Sequence, residues 1–327
     1  MATTMTMRER AIPGGSSLSE LGLGVAQFGN LFRATTDEDS AAAVDAAWNA
    51  GIRYFDTAPH YGVGLSERRL GAALAGRPRE EYVVSTKVGR LLTPSPETAG
   101  LMDDQGFHVP ADPRRVWDFS RDGILRSLES SLERLGLDRV DVVYLHDPDD
   151  HWEAASTTGI GALVELRDQG VIGAIGAGMN QTGMTAEFIR RCDVDVMMLA
   201  GRFTLLDQSG HDEVLPLALE RGVGIVAAGV YNSGLLSAAR PAADTKYDYD
   251  PAPPELIARA NEIADVCERH GVTLPAAAVA YPLRHSAVVS VVLGSRTAAQ
   301  VVSNVERYFE RIPQQLWTDL MSEGLVR

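Results

Sequence analysis

Short, continuously apolar strand candidates alternate with helix candidates about eight times along this chain. Strands are read over 17–26, 52–55, 82–85, 140–145, 172–177, 194–199, 224–228 and 288–293. Helices are read over 37–49, 67–74, 121–135, 160–169, 186–191, 214–221, 255–270, 275–283 and 298–309. Strands that are apolar throughout are buried on both faces, which implies a parallel sheet covered by helices. Such a sheet is either open and doubly wound or closed into a (β/α)8 barrel. The open form usually carries Gly-x-Gly-x-x-Gly after its first strand when it binds a dinucleotide. Here Gly22-Leu-Gly24 is followed by Gly29, the wrong spacing, and Gly173, Gly176 and Gly178 fall within a strand candidate, as packing or turn residues. The number of units favours an α/β fold of the (β/α)8 TIM-barrel kind, expected to occupy residues 1–327 as one domain.

Charge narrows the partners. With 44 acidic and 30 basic residues the formal charge is −14, which argues against sequence-independent nucleic-acid binding. No apolar run approaches membrane-spanning length and residues 1–10 lack an apolar signal core, so no membrane partner is expected and the cytoplasm is the expected compartment. Cys192 and Cys267 are both read as helical, small and buried, with neither a disulfide nor metal-ligand spacing around them.

Three successive strand candidates stop at an ionisable group: Asp56, Lys87 and His146, with Tyr61 in the loop just past Asp56. Strand ends and the loops after them form the reactive face of such a barrel. Adjacent strands lie only about 5 Å apart, so these side chains can converge on one mouth. Singly, an Asp–Lys pair reads as a structural ion pair and a His as a hydrogen-bonding residue. Four at successive strand ends read as a site. A phenol has a pKa near 10, and a neighbouring ammonium favours its ionised form. Asp56 would hold Lys87 charged, Lys87 would lower the Tyr61 pKa, and His146 would orient a substrate oxygen. The set suits the proton half of a hydride transfer at an alcohol or carbonyl.

At this point a family resemblance becomes specific. Phe55-Asp-Thr-Ala58, His60-Tyr-Gly62, Ser66-Glu67, Ser85-Thr-Lys-Val88 and Tyr144-Leu-His146 resemble the signature of the aldo-keto reductases, from Leu21-Gly-Leu-Gly24 to about Tyr308. The resemblance implies a (β/α)8 barrel that binds NAD or NADP without a Rossmann domain, with Asp56, Tyr61, Lys87 and His146 as a catalytic tetrad. Ser85 to Arg90, Leu199 to Leu206 and Asn232-Ser-Gly-Leu-Leu236 resemble a branch of aldose 1-dehydrogenases and a pyridoxal 4-dehydrogenase. In that branch a cyclic hemiacetal is oxidised to a lactone, with Tyr61 as the base. The expected substrate is an L-fucose-like, D-arabinose-like or L-galactose-like sugar. A pyridoxal-like hemiacetal, general aldehyde reduction and a non-catalytic nucleotide-binding subunit are the alternatives.

The resemblance also implies cofactor-binding positions. Gly24, Asn180, Ser233, Gly234, Leu235, Gly294, Ser295, Arg296, Gln300 and Asn304 fall on them, whereas Met179, Ala200 and Ala228 depart from the family pattern. Backbone N–H groups at the helix start after 293 favour a phosphate. Arg296 is read either as meeting a 2′-phosphate or as an ordinary surface residue. NAD is the expected cofactor, with NADP open. His146-Asp-Pro-Asp-Asp-His151 is read as a solvated loop and not as a metal cluster, so no metal is expected. His60 either touches substrate or caps its loop. Trp117, Trp152 and the insertion 91–115 either line the mouth or cover apolar surface.

Overall fold

A computed structural model of the chain describes residues 6–13, 15–242, 244–248 and 250–327. Its centre is a closed barrel of parallel strands. In chain order these are β1 (Leu21–Gly24), β2 (Tyr54–Asp56), β3 (Val83–Val88), β4 (Val142–His146), β5 (Ala174–Met179), β6 (Val196–Ala200), β7 (Gly224–Ala228) and β8 (Val288–Gly294). Each pairs with its sequence neighbour, and the ring closes through Gly294 beside Gly24. The outer helices include α1 (Asp37–Asn49), α2 (Leu65–Leu74), α3 (Arg121–Leu135), α4 (Ile160–Asp168), α5 (Thr182–Arg191) and α6 (Val214–Arg221). Then come α7 (Pro254–Arg269), α8 (Leu274–Leu283), α9 (Ala298–Phe309) and α10 (Gln314–Ser322). None of the described helices is long and apolar enough to cross a membrane.

Two apolar layers hold this arrangement. The larger lies between strands and helices and includes Phe55, Val84, Leu145, Phe188 and Cys267. The smaller fills the barrel interior with Tyr54, Tyr144, Val196, Met198, Val226 and Val292, closed at the floor by Ile12 and Leu18. Gly176 is a packing residue: a Cβ there would lie 1.7 Å from the Val196 carbonyl oxygen of the next strand. Helix starts are capped where the sequence supplies hydroxyls. Thr36 accepts from the Asp39 N–H ahead of α1, and Ser120 from Gly123 ahead of α3.

The structure departs from the sequence reading at several edges. Stretch 17–26 is not one strand. Ser17–Ser19 pairs antiparallel with Glu9–Ala11 to form a floor hairpin, and β1 starts only at Leu21. The corner residue Glu20 is bound by Arg8 and Arg10, and Arg10 also donates to the Leu283 and Val288 carbonyls. β3 runs on to Val88, so Lys87 lies within it. Cys192 follows α5 in extended conformation and is half-buried, its thiol 3.6 Å from the Ser156 carbonyl. The insertion 91–115 is built on a ribbon, Arg90–Thr93 against Arg114–Trp117.

Candidate active site

β2 ends at Asp56, β4 ends at His146, and Lys87 is one residue short of the end of β3. All three are buried. The Lys87 Nζ donates to both carboxylate oxygens of Asp56, at 2.9 and 2.8 Å, and to the Thr57 carbonyl at 3.0 Å. It lies 4.9 Å from the centre of the Tyr61 ring, and the His146 ring centre is 5.8 Å from that of Tyr61 at nearly a right angle. The structure therefore brings Asp56, Tyr61, Lys87 and His146 to one mouth. Behind Asp56 runs a buried hydroxyl chain. Ser85 Oγ is 2.7 Å from Asp56 Oδ1, and Tyr54 OH lies 3.0 Å from Ser85 Oγ and 3.3 Å from Tyr144 OH.

Electrostatics divide these groups into charged and neutral. Burial is the largest influence on Lys87 and disfavours its charge, but Asp56 together with the phenols of Tyr61 and Tyr54 outweighs it and the ammonium pKa is raised. For Tyr61 the expectation is corrected. Lys87 does pull the phenol down, yet burial is larger and the net value is pushed up to about 12. His146 is driven well below its ordinary value by burial, then by Arg90 and Lys87, so its imidazole is neutral. His60 falls to about 2 for the same first cause, with Arg90 and Arg115 adding to it. A protonated phenol, a fixed ammonium and a neutral imidazole can exchange a proton with a ligand oxygen and hydrogen-bond it.

Beside Asp56 on the rim, β8 and β1 bring Gly24, Gly294 and Ser295 together, Gly24 being paired with Asp56 across β1 and β2. The Ser295 N–H points at the Gly24 carbonyl (3.4 Å), and Asn304 Nδ2 donates to Ser295 Oγ at 3.0 Å. Tyr231 OH donates to Asn304 Oδ1 at 2.8 Å. Ser233, Gly234 and Leu235 follow in the loop after β7, with Ser233 and Gly234 exposed, and Asn180 is exposed at the end of β5. Two of the ten positions, Arg296 and Gln300, carry contacts within the chain. The Arg296 guanidinium is turned inward onto the Leu31 and Arg33 carbonyls at 2.7 and 2.8 Å and onto Thr35. Those carbonyls belong to an irregular loop, bridged to the insertion at Leu31 and Phe107, and the guanidinium satisfies them. Gln300 Oε1 accepts from the Arg296 N–H at 2.7 Å, finishing the start of α9 with Thr297.

This side fits a long, phosphate-bearing, amide-bearing group. Gly294 is bare backbone whose Cβ would lie 2.5 Å from Gln27 Nε2, and α9 begins just behind it. Gln27 Oε1 and Asn232 Oδ1 are buried without a partner among the described residues, acceptors of the kind a bound amide or hydroxyl satisfies.

Sequence comparison agrees with this arrangement: the aldo/keto reductase family model matches residues 20–322. The chain belongs to the aldo/keto reductase family. It is an oxidoreductase, and the family works with a nicotinamide cofactor. A D-threo-aldose 1-dehydrogenase from a Pseudomonas species is 49% identical, covering 97% of each chain. A pyridoxal 4-dehydrogenase from Microbacterium luteolum is 42% identical, covering 95% of this chain and 96% of its own. Among solved structures, an aldo-keto reductase from Bacillus halodurans in its holo form superposes with TM-score 0.75 at 26% identity. It covers 98% of this chain and 97% of its own.

As in other barrels, loops complete the mouth of this aldo-keto reductase. Phe107, from the insertion, packs 5.2 Å from His60 and 6.2 Å from Tyr61, and Arg115 donates to the His60 carbonyl at 2.9 Å. Trp117 faces Arg90 and His151. Trp152 instead packs on Phe188 outside the barrel, at 5.0 Å. The 146–151 stretch is claimed by other partners: Asp147 by Arg90, Asp149 by Gln181, His151 by Trp117. Among the described residues no His, Cys, Asp and Glu cluster of three or more could hold a metal. The sequence reading missed the Arg90–Asp147 pair. Its signal was register: β3 and β4 align Lys87 with Tyr144 and Val88 with Leu145, which puts Arg90 level with Asp147 two residues on.

Proposed function

We propose that this chain oxidises the anomeric carbon of an aldose to a lactone, with Tyr61 as the acid–base residue. The observation that carries the proposal is the buried ammonium, bound to Asp56 at 2.8 Å and 4.9 Å from the Tyr61 ring in the mouth that also holds neutral His146. Asp56 keeps Lys87 charged. Lys87 attracts the phenolate that forms as Tyr61 takes the proton of the anomeric hydroxyl. His146 hydrogen-bonds the reacting oxygen without competing as an acid. When bound, the nicotinamide supplies the hydride acceptor. Gly24, Asn180, Ser233, Gly234, Leu235, Gly294, Ser295 and Asn304 are the residues that would hold it. NAD is the better fit than NADP, because Arg296 is already satisfied by the 31–35 loop. Residues 1–327 are taken as one domain. The 49%-identical aldose dehydrogenase supports a sugar substrate.

The second reading is pyridoxal oxidation, favoured by the 42%-identical pyridoxal 4-dehydrogenase. The same residues would act on a hemiacetal fused to a pyridine ring. Absorbance at 340 nm separates the two when L-fucose, D-arabinose and pyridoxal are each supplied with NAD or NADP at mildly alkaline pH. The sugars are expected to reduce NAD faster than pyridoxal does. Turnover of pyridoxal alone supports the second reading. No turnover of any of the three overturns the oxidative proposal.

A further inference from the structure

Arg90 and Asp147 lie at the same mouth as Tyr61 and form an ion pair with Nη2 to Oδ2 at 2.5 Å. The pair is expensive to keep. The Arg90 side chain is only 12% exposed, so its guanidinium gives up most of its hydration, and Asp147 is the group that compensates it. Nor is its geometry a by-product of packing. Asp147 adopts φ +39°, a left-handed conformation uncommon for residues other than glycine, and its N–H is anchored on the Gly178 carbonyl at 2.9 Å. Gly89, at φ +98°, turns the chain so that Arg90 leaves β3 toward Asp147. The Trp117 indole then supports the guanidinium from one face, 4.2 Å from ring centre to Cζ.

The pair still has polar capacity. Arg90 Nε is buried and has no partner among the described residues, as are His60 Nδ1 and His146 Nδ1 beside it. The Asp147 side chain is 37% exposed. Charges at this end of the site are matched: Lys87 with Asp56, Arg90 with Asp147, Arg115 with Asp103. Both histidines are neutral. A surface with donors and acceptors close together and its charges already paired suits a neutral ligand rich in hydroxyls. It suits neither an anion nor a plain hydrocarbon. Two adjacent hydroxyls meet an Arg–Asp pair well, because a guanidinium can only donate and a carboxylate can only accept.

We propose that Arg90 and Asp147 act together as a diol reader, the guanidinium donating to one hydroxyl of the substrate and the carboxylate accepting from the neighbouring one. This deepens the aldose reading and rests on it. The two residues set which substrate is chosen, and Trp117 positions Arg90. Because they work as a unit, changing both should cost little more than changing either.

The test compares D-arabinose with tetrahydropyran-2-ol, a cyclic hemiacetal that offers the same reacting carbon and no other hydroxyl. The readout is the ratio of their kcat/KM values in the wild type, in Asp147→Asn, in Arg90→Lys and in the double variant. NADH fluorescence titration and thermal melting report folding. The ratio is expected to fall at least tenfold in each single variant and hardly further in the double. Equal losses on both hemiacetals in both single variants, or additive losses in the double, overturn the diol reader. If wild type oxidises tetrahydropyran-2-ol as well as D-arabinose, the diol reader falls while the dehydrogenase reading stands. If wild type oxidises neither of these nor L-fucose, the aldose reading itself has failed. Should Asp147→Asn not fold, the ratio in Arg90→Lys alone decides: a tenfold fall supports the diol reader and an unchanged ratio overturns it.

Discussion

Tyr61 ties the rate in each direction to pH. Its phenol sits at about 12 because burial outweighs the pull of Lys87. Across the ordinary working range it is therefore protonated, ready to give a proton to a carbonyl. Oxidation needs the opposite form, whose fraction grows tenfold for each unit by which pH rises toward that value. Oxidative kcat/KM is therefore expected to climb from pH 7 through pH 10, with aldehyde reduction nearly flat over the same range. A steady-state pH series in both directions checks this, and an oxidative profile that peaks below pH 8 contradicts it. That lysine and phenol would meet was readable from Asp56, Tyr61 and Lys87 at strand ends. The balance between them was not, because burial depends on Phe107 and other groups far away in sequence.

At the level of elements, barrel walls were plain in the sequence and their edges were not. β3 reads as ending near Ser85 because Ser-Thr-Lys looks like a loop. It continues because each of those polar groups finds a buried partner: Ser85 on Asp56, Thr86 on Glu67 at 2.7 Å, Lys87 on Asp56. No local pattern reveals partners on other strands and helices. The insertion 91–115 is rich in Pro, Gly and Asp, yet residues 90–117 are sewn back to the β1–α1 loop through Phe32 N–H to the Gly106 carbonyl at 2.8 Å. Gly89 is the pivot of this ribbon. A Cβ there would lie 2.2 Å from the Phe119 ring, and its positive φ resists any side chain. Gly89→Ala is expected to lower stability by about 2–4 kcal/mol in urea unfolding and to reduce kcat/KM by displacing Arg90. A variant as stable and active as the parent would show that the ribbon is not pinned at this residue.

For the molecule as a whole, the same neutral histidines that suit catalysis set a limit on acid stability. An unfolded imidazole takes up its proton near pH 6.5, whereas folded His60 resists to about 2. Between these values the unfolded chain binds more protons, so the His60 contribution is complete above about 6.5 and is lost as pH falls. At pH 5 this amounts to up to about 2 kcal/mol, and His146 acts in the same sense. The urea midpoint is expected to drop between pH 7 and pH 5, less steeply in His60→Gln, and equal slopes in the two proteins contradict the account. The closed ring of strands serves one purpose here, holding a phenol, an ammonium and an imidazole at fixed separations around a reacting oxygen. The most direct test is the single-turnover rate of NADH formation from D-arabinose in Tyr61→Phe against the parent, alongside an NADH binding titration. The rate is expected to fall by roughly 10²–10⁴ while NADH binding stays within about threefold of the parent. A Tyr61→Phe protein that forms NADH at the parental rate would contradict the account at its centre.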